Sequence, residues 1–458
     1  MFYGRENERK KLCTMFHSDG QMISLIYGRR RIGKSELIKQ VLKETDIKSV
    51  YYECKQTTEQ NNVDSLAELI GEAFDFPKPA FENMEDLLCF LFQKSEKEPM
   101  ILVLDEYPYL RENSKGLDSV LQSVIDHYKD TSNMKLIVCG SYVDTMKALL
   151  ERQNPLYGRI DLTLNLKPMD YYDSALFYPE FSEEDKVRLF SVFGGIPYYN
   201  RLIDEKKSVR ENIIELIASS GARLENEVAM YLNSEISKIT NANEVFEALA
   251  KGFSRYKDIL DQSNVSSGPA LIDILDKLMR MDVVAKEAPI NDENNKKKSG
   301  YFISDNLSLF YYKYIFRNMS RMNIMDADVF YDRYIADDFE TKHVPRIFER
   351  ICKQYLIRRN RKGLMDEIFE KIGKYYYDDP VEKKNGEFDI VTQDDKGYIF
   401  YEAKFRKEPV TESSVQNEIR QVKQTGLECY RYGFFSRAGF TCEEGNDRIL
   451  IPLSELYQ

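Results

Sequence analysis

The chain has 458 residues, too many for one ordinary hydrophobic core, so we expect about three domains. Its 43% hydrophobic and 31% charged residues are typical of folded domains, and no apolar run approaches the roughly 20 residues that cross a bilayer. A net charge of -11 excludes a general polyanion binder. The seven cysteines are scattered without metal-ligand spacing and there are only three histidines, which excludes a zinc site. We expect the cysteines to be reduced and the protein to be cytoplasmic, without a membrane partner.

The first strong pattern is a phosphate-binding loop in residues 23–42, ISLIYGRRRIGKSELIKQVL. A short apolar strand precedes the loop and a helical pattern follows it, which is the context that G-x-x-x-x-G-K-[ST] requires. Lys34 is expected to reach the outer phosphates and Ser35 to offer a hydroxyl to Mg²⁺. The alternative is a glycine-rich turn that precedes a helix by chance. The residues expected to contact the nucleotide are Gly28, Arg31, Ile32, Gly33, Lys34, Ser35 and Glu36.

A second buried strand is predicted at residues 100–104, and it ends in Asp105 and Glu106. The carboxyl edge of a parallel sheet is where ligands bind in open α/β folds. Asp105 is expected to hold Mg²⁺ beside Ser35, and Glu106 to polarise the water that attacks the γ-phosphate. The alternative is a buried strand followed by a solvated acidic turn.

Two further positions follow in chain order. A strand at residues 134–140 precedes Ser141, which could orient water or touch the γ-phosphate, or else cap the next helix. Arg159 lies on a Pro/Gly turn before an alternating strand at 160–164. It could stabilise transition-state charge, within its own subunit or across a subunit boundary, or form an ordinary surface ion pair.

These motifs resemble the archaeal-type ATPases of the AAA+/STAND branch of P-loop NTPases. The resemblance includes a Gly-Arg-Glu box with Gly4 and Arg5, the two acids of the second strand, a Leu-Tyr-Gly-Arg turn ending at Arg159, and a Gly-Gly-x-Pro motif ending at Pro197. It implies a parallel α/β sheet with ATP and Mg²⁺ as cofactors, and it places the Gly4 box and Pro197 at the nucleotide base.

The middle of the chain loses the strand pattern and is predicted to be helical. Helices at 169–181, 183–193, 209–217 and 224–236 would form a lid. Helical periods at 243–251, 255–260 and 268–281 precede strands at 283–285 and 301–303, which indicates a winged helix. DNA docking through its third helix is disfavoured because that helix is acidic, so a rigid relay to the next domain is the favoured interpretation. Lys296, Lys297 and Lys298 on the hairpin tip could touch a nucleic-acid backbone.

The C-terminal part predicts a helix at 344–356 and strands at 374–377, 386–391 and 398–405. Asp389 lies on one strand, and Glu402 and Lys404 share a face of the next. Two carboxylates and a lysine at a sheet edge suit Mg²⁺-dependent phosphodiester hydrolysis, in which the acids hold the metal and the lysine positions the nucleophile. Glu349 could add a third carboxylate. Gln421 and Lys423, on a following helix, could support the site.

This pattern resembles the restriction-endonuclease-like superfamily with its Asp…Glu-x-Lys core, and also the nuclease-like domain that accompanies the ATPase family. The alternatives are a hairpin with a surface ion pair, a signalling or regulatory ATPase whose last domain only binds DNA or protein, and a protein-remodelling ring. Candidate partners are DNA or RNA and further copies of the chain. The expected domains are a P-loop core at 1–166, a helical lid at 167–238, a winged helix at 239–318, a helical connector at 319–336 and an α/β endonuclease-like domain at 337–458.

Overall fold

A computed structural model describes residues 2–235, 239–295, 297–379 and 384–458. The chain divides into two compact units, Met1–Pro168 and Met169–Gln458. No helix among the described residues is both long and apolar enough to cross a bilayer. All seven cysteines are free thiols, as the sequence predicts.

The first unit contains a five-stranded parallel sheet in the order β2-β3-β4-β1-β5. Its central strands β3 and β4 are buried along their whole length, which explains why the sequence shows them as mostly aliphatic runs, interrupted in β4 by the buried Lys135. The predicted strand at 160–164 begins two residues later. The strands are β1 Met22–Tyr27, β2 Lys48–Glu53, β3 Met100–Asp105, β4 Met134–Gly140 and β5 Leu162–Asn165.

Helices flank this sheet, and capping side chains mark where several of them begin. Thr58 and Asn83 each accept a hydrogen bond from the backbone N–H three residues later. Leu66, Leu88 and Leu121 pack with strand side chains in the core on one sheet face. The helices are α1 Glu6–Phe16, α2 Lys34–Leu42, α3 Glu59–Phe74, α4 Met84–Ser95, α5 Tyr107–Asn113, α6 Leu117–His127 and α7 Val143–Ala148.

The second unit begins with short helices. The predicted helix at 169–181 is only five residues long, because Pro179 disfavours helical backbone in the residue before it. Gly195 allows a close backbone approach, since a Cβ there would lie 2.0 Å from the Met169 carbonyl oxygen. The helices are α8 Tyr171–Ala175, α9 Glu183–Phe193, α10 Pro197–Asn200, α11 Val209–Leu216 and α12 Glu227–Glu235.

Three helices and a two-stranded antiparallel hairpin follow, and we refer to residues 239–303 as the hairpin module. Its third helix buries Leu271, Ile274, Leu275 and Leu278 on one face, at the 3–4 residue spacing that an amphipathic helix requires. Lys296, one of the predicted tip lysines, lies outside the described residues. The elements are α13 Ile239–Ala250, α14 Tyr256–Gln262, α15 Gly268–Arg280, β6 Val284–Glu287 and β7 Gly300–Ile303.

A series of helices from Asn306 to Arg361 joins the hairpin module to the last sheet. Two five-residue π-helical segments interrupt it, Tyr311–Ile315 and Phe339–His343, and the 3₁₀ turn Phe316–Asn318 follows the first. The second π segment leads directly into α20. The α-helices are α16 Asn306–Phe310, α17 Met319–Met322, α18 Ala327–Tyr334, α19 Ala336–Asp338 and α20 Val344–Arg361.

The C-terminal sheet has five strands in the order β12-β11-β10-β9-β8. β8, β9 and β10 form an antiparallel meander, and β10 pairs in parallel with β11. One helix lies between β10 and β11 in the chain, and a 3₁₀ turn, Leu453–Tyr457, follows β12. The elements are β8 Lys371–Asp379, β9 Lys384–Asp394, β10 Gly397–Lys404, α21 Glu412–Gln424, β11 Cys429–Ser436 and β12 Arg448–Pro452.

Candidate functional site

The phosphate-binding loop connects β1 to the first turn of α2. Gly28 is required there because a Cβ would lie 2.5 Å from the Leu166 carbonyl oxygen. Arg31 and Gly33 both have positive φ, so the loop turns sharply before the helix begins. This strand–loop–helix geometry directs the N-terminal N–H groups of α2 toward the loop, where an anion is favoured.

The loop lysine and serine point to two different partners. The Lys34 ammonium is buried and donates to the carbonyl oxygens of Gly28 at 3.0 Å and Arg29 at 3.3 Å. The Ser35 hydroxyl donates to the Asp105 carboxylate at 2.6 Å. The lysine is therefore held inside the loop, where phosphate oxygens would replace the two carbonyls.

Asp105 lies at the end of β3 and is only 2% exposed. Burial alone would raise the pKa of this carboxyl, but hydrogen bonds from the hydroxyls of Ser35 and Tyr51 outweigh it and lower the pKa. Asp105 is therefore ionised at neutral pH. A carboxylate and a hydroxyl in contact are oxygen ligands of the kind that Mg²⁺ prefers, so the two side chains fit the predicted metal site. A Mg²⁺ ion there would neutralise phosphate charge.

Glu106 and Ser141 are brought together at the ends of the neighbouring strands β3 and β4. The Ser141 hydroxyl lies 2.8 and 2.9 Å from the two Glu106 carboxylate oxygens, and the Ser141 N–H donates to the same carboxylate at 3.2 Å. Glu106 itself has a positive φ of 51°. The alternative that Ser141 caps the next helix is wrong, because that helix has no side-chain cap.

Arg5 connects the predicted N-terminal box to the loop. Its guanidinium is largely buried and donates to the Ile32 carbonyl oxygen at 3.2 Å, although 27 residues separate the two. Gly4 and Arg5 both have positive φ. Pro197, the other residue predicted at the nucleotide base, begins α10 in the second unit, and its role stays a prediction.

The Arg159 guanidinium is already occupied in its own subunit. It donates to both oxygens of the Asp126 carboxylate at 2.8 and 2.7 Å, and to the carbonyl oxygens of Pro155 at 3.0 Å and Tyr157 at 3.1 Å. This arrangement favours the ion-pair interpretation and fixes the turn before β5.

In the C-terminal sheet, β9 and β10 bring the predicted residues to one place. The last pair in the antiparallel register is Tyr401 with Ile390, and Asp389 and Glu402 lie one residue beyond it, close enough that the charge of Asp389 adds to burial in raising the pKa of Glu402. The Lys404 ammonium lies 2.5 Å from Glu402 and 2.8 Å from Glu418, on α21. Glu418 was not predicted. The sequence indicated the correct helix, but Gln421 and Lys423 are exposed on it.

Burial and neighbouring charges shift the pKa values of the carboxyl groups in this C-terminal site. Burial raises the pKa of Glu349 to about 8, and the charges of Asp389 and Glu402 add to the shift. Burial also raises the pKa of Glu402, against the lowering influence of Lys404. Lys374 on β8, which sequence reasoning missed, lies 3.0 Å from Asp389 and 2.6 Å from Glu387.

Within the described ranges, no group of three or more His, Cys, Asp or Glu side chains converges to hold a metal ion. Mg²⁺ commonly keeps several waters and uses only one or two carboxylates, so Asp389 and Glu402 alone fit such a site. The role of Glu349 as a third ligand stays a prediction.

Comparisons with known proteins agree with the geometry of the first site. Residues 2–203 match the family model described as an ATPase domain predominantly from Archaea, and residues 311–421 match one described as archaeal and bacterial proteins of unknown function. An uncharacterized protein of Methanocaldococcus jannaschii is 26% identical over 461 residues, which cover 99% of this chain and 100% of that protein.

Solved structures are similar to part of the chain, and the first of the following two shares its fold. A Walker-type ATPase of Pyrococcus abyssi has a TM-score of 0.52 and 19% identity, over 68% of this chain and 96% of that one. The ORC2 protein of Aeropyrum pernix, solved with ADPNP and ADP, has a TM-score of 0.49 and 14% identity, over 67% of this chain and 91% of that one. The loop geometry and the family match together lead to one conclusion: residues 2–203 form an ATPase domain with a phosphate-binding loop, and the chain is an ATP-binding, ATP-hydrolysing enzyme.

Proposed function

We propose that ATP binding and hydrolysis switch a C-terminal nuclease-like domain that acts on nucleic acid. The observation that carries the proposal is the placement of Asp389, Glu402 and Lys404 on adjacent strands, where the charge of Asp389 acts on Glu402 and Lys404 pairs with Glu402. This is the Asp…Glu-x-Lys arrangement that the restriction-endonuclease-like resemblance implies.

The chemistry follows from the groups present. Asp389 and Glu402 would hold Mg²⁺, which supplies a Lewis acid and an activated water for phosphodiester hydrolysis. Lys404 is held between Glu402 and Glu418, and these acids outweigh the effect of burial and raise its pKa. It therefore stays charged and positioned near the reacting phosphate.

In the ATPase domain, we propose a role for each side chain from the contacts that it makes around the phosphate-binding loop. Lys34 would bind the outer phosphates, Ser35 and Asp105 would hold Mg²⁺, and Glu106 would activate the attacking water. Ser141 holds the Glu106 carboxylate and is therefore its positioning residue. Arg5 supports the loop through Ile32.

Helix α9 offers a route by which a change in the predicted lid would reach the last domain. It packs directly against α16 and α20 and against the final 3₁₀ turn, and all of these lie in the second unit. The Arg437 guanidinium, one residue beyond β11, donates to Glu184 on α9. We therefore propose that α9 transmits the switch directly, in addition to the predicted relay through the hairpin module.

The hairpin module has the helix and strand order of a winged helix, and we propose that identity for residues 239–318. Its third helix exposes Asp273 and Asp276, which would repel a phosphate backbone. Base reading by this helix is therefore not part of the proposal. We also propose the lid at 167–238, the connector at 319–336 and the nuclease-like domain at 337–458.

The test of the nuclease activity is cleavage of labelled DNA and RNA, single- and double-stranded, by the full chain with Mg²⁺ or Mn²⁺. We expect cleavage that Asp389→Asn reduces by at least about tenfold, because even the residues that only orient a metal ligand contribute about 10- to 100-fold. The matched control is Asp395→Asn in the β9–β10 turn, which should cleave like the wild type. Cleavage that Asp389→Asn leaves intact, or no cleavage of any substrate, would overturn the nuclease assignment.

The second candidate function is a regulatory ATPase whose last domain only binds nucleic acid or protein. The ion pairs that occupy Asp389 and Lys404 favour it, because they satisfy both groups without metal. Metal-independent binding without cleavage would select this candidate.

A further inference from the structure

A cavity of about 280 Å³ adjoins the C-terminal carboxylate site. One wall is formed by α20, β8 and β9 and includes Glu349 and Asp389. The opposite wall belongs to the hairpin module and includes Tyr301 and Phe302. Asp389, one of the two acids proposed to bind metal, therefore faces a roofed pocket rather than open solvent.

The hairpin module that roofs the cavity is attached to the sheet by hydrogen bonds to the backbone of β8. The Ile290 N–H donates to the Lys374 carbonyl oxygen at 2.8 Å. The Asn291 side chain donates to the Tyr376 carbonyl at 2.8 Å and accepts from the Tyr376 N–H at 3.0 Å. These bonds cover the outer edge of β8 and hold the hairpin over the cavity.

The cavity lining is positive in an acidic protein. Six cationic and four acidic side chains line it, whereas the whole chain has a net charge of -11. A local excess of positive charge attracts anionic ligands. The six cations are Arg255, Lys298, Arg346, Arg350, Lys353 and Lys374.

Among the described residues, three of these cations have no carboxylate partner: Arg346, Arg350 and Arg255, which donates to the Lys297 carbonyl oxygen at 3.3 Å. Within the described part of the chain, neither Arg346 nor Arg350 has an acidic oxygen within ion-pair distance. Arg350 donates to the Ile303 carbonyl oxygen at 2.9 Å and lies 4.8 Å from the centre of the Phe302 ring. By contrast, Lys353 and Lys374 pair with acids. Of these three, Arg346 and Arg350 lie one turn apart on α20, and guanidinium geometry suits phosphate.

The volume of the cavity limits which form of nucleic acid can bind there. Small-molecule sites typically enclose about 300–1,000 Å³, so this cavity is at the lower end of that range. A nucleic-acid duplex, whose major groove alone is about 12 Å wide, cannot enter. A single nucleotide unit suits the volume, and the aromatic side chains beside the cations suit base stacking, as in sites for single strands.

We propose that this cavity binds one nucleoside phosphate unit of a single-stranded nucleic acid, with the phosphate on Arg346 and Arg350 and the base against Tyr301 or Phe302. The inference rests on the proposed function only in that the domain acts on nucleic acid. It adds that single strands are selected over duplexes, because the hairpin module closes the site to a double helix.

The test is fluorescence anisotropy with the full chain, in the presence of EDTA so that no strand is cleaved. The probes are a labelled single-stranded oligonucleotide, a duplex of the same sequence and, as competitor, a mononucleotide. We expect the single strand to bind at least about tenfold more tightly than the duplex, and Tyr301→Leu and Arg346→Ala each to weaken it about fivefold or more.

The matched control is Arg361→Ala, a cation on the same helix that does not line the cavity; it should bind like the wild type. Thermal unfolding of each variant checks that the fold is retained. Equal affinity for strand and duplex, binding of the mononucleotide alone, or unchanged affinity in both cavity variants would overturn the inference.

This result is independent of the nuclease assignment. A protein that binds single strands through the cavity but never cleaves them supports the inference and overturns nuclease activity. A protein that cleaves duplexes and binds them as tightly as single strands supports nuclease activity and overturns the inference.

Discussion

The guanidinium of Arg437 donates a hydrogen bond to the carboxylate of Glu184, although 253 residues separate them. Glu184 lies in the first turn of α9, and Arg437 directly follows β11. The Arg437 side chain is only 13% exposed, and hydrogen bonding to it lowers the pKa of Glu184. This pair therefore joins the predicted lid to the C-terminal sheet.

Breaking this pair should uncouple the two activities. We expect Arg437→Gln to retain ATP hydrolysis but to lose most of the nucleotide dependence of the C-terminal domain, because a coupling of about 1–3 kcal/mol corresponds to a 5- to 150-fold effect. The control is Arg448→Gln, which removes an ion pair with Glu412 that does not involve α9. Full nucleotide dependence in Arg437→Gln would refute the role of this contact.

Glu106→Gln should bind ATP normally and hydrolyse it at least about 100-fold more slowly, because general-base catalysis contributes about 10²–10⁴ in rate. Ser141→Ala should have a smaller effect, since it only frees the carboxylate that Ser141 holds. Steady-state hydrolysis and ATP affinity, measured separately, distinguish the two roles. Glu112→Gln, an exposed position at the end of α5, is the control. Near-normal turnover in Glu106→Gln would assign the base elsewhere.

Arg159→Ala and Asp126→Ala should behave alike. Because the structure places these two side chains in one ion pair, each variant should destabilise the fold slightly, by about 0–1 kcal/mol, and change turnover by less than tenfold. Thermal unfolding and ATP hydrolysis are the two measurements. A loss of about 10³-fold in turnover that is confined to Arg159→Ala would instead identify a transition-state arginine.

His343 should make the protein acid-sensitive. Burial lowers its pKa from 6.5 to about 3; the charges of Lys313 and Arg350 also lower it, while Asp338 and a hydrogen bond to the Ser191 carbonyl at 2.9 Å favour the proton. The folded state thus binds fewer protons than the unfolded chain between these pH values. The stabilisation is present above pH 6.5 and is lost as pH falls toward 3.

We therefore expect His343→Gln, which can keep a donor to Ser191, to lose less unfolding free energy than the wild type between pH 7 and pH 5. Denaturant unfolding at the two pH values is the measurement. His127→Gln, at an exposed histidine, should leave the wild-type pH dependence unchanged. Identical pH dependence in His343→Gln would show that this ring does not titrate as described.

Site residues could be predicted from the sequence where the chemistry of the site requires one particular residue type. Gly28 and Lys34 could be placed because a phosphate loop needs small residues and a cation at fixed spacing. Asp105 could be placed because it ends a buried strand, at the sheet edge where ligands bind. Likewise, β3 and β4 were evident because strands buried on both faces are mostly apolar.

Contacts between distant segments could not be predicted in the same way. Nothing local in the sequence links Lys374 to Asp389, Glu418 to Lys404, or Glu184 to Arg437, since each pair depends on strand order and helix packing. The roofed cavity is likewise a product of tertiary structure, because the hairpin and β9 are far apart in the chain. By contrast, the end of α8 was predicted too late in the chain for a local reason, the position of Pro179.

The central claim is that the nucleotide state of the P-loop controls the C-terminal domain. The most direct measurement is the rate at which the full chain cleaves a labelled single strand with Mg²⁺, with ATP, with ADP and without nucleotide, in the wild type and in Lys34→Ala. Lys43→Ala, at an exposed lysine just after α2, is the control. The account predicts at least about a fivefold dependence on nucleotide in the wild type and Lys43→Ala, and none in Lys34→Ala. Equal rates under all three conditions in the wild type would contradict it.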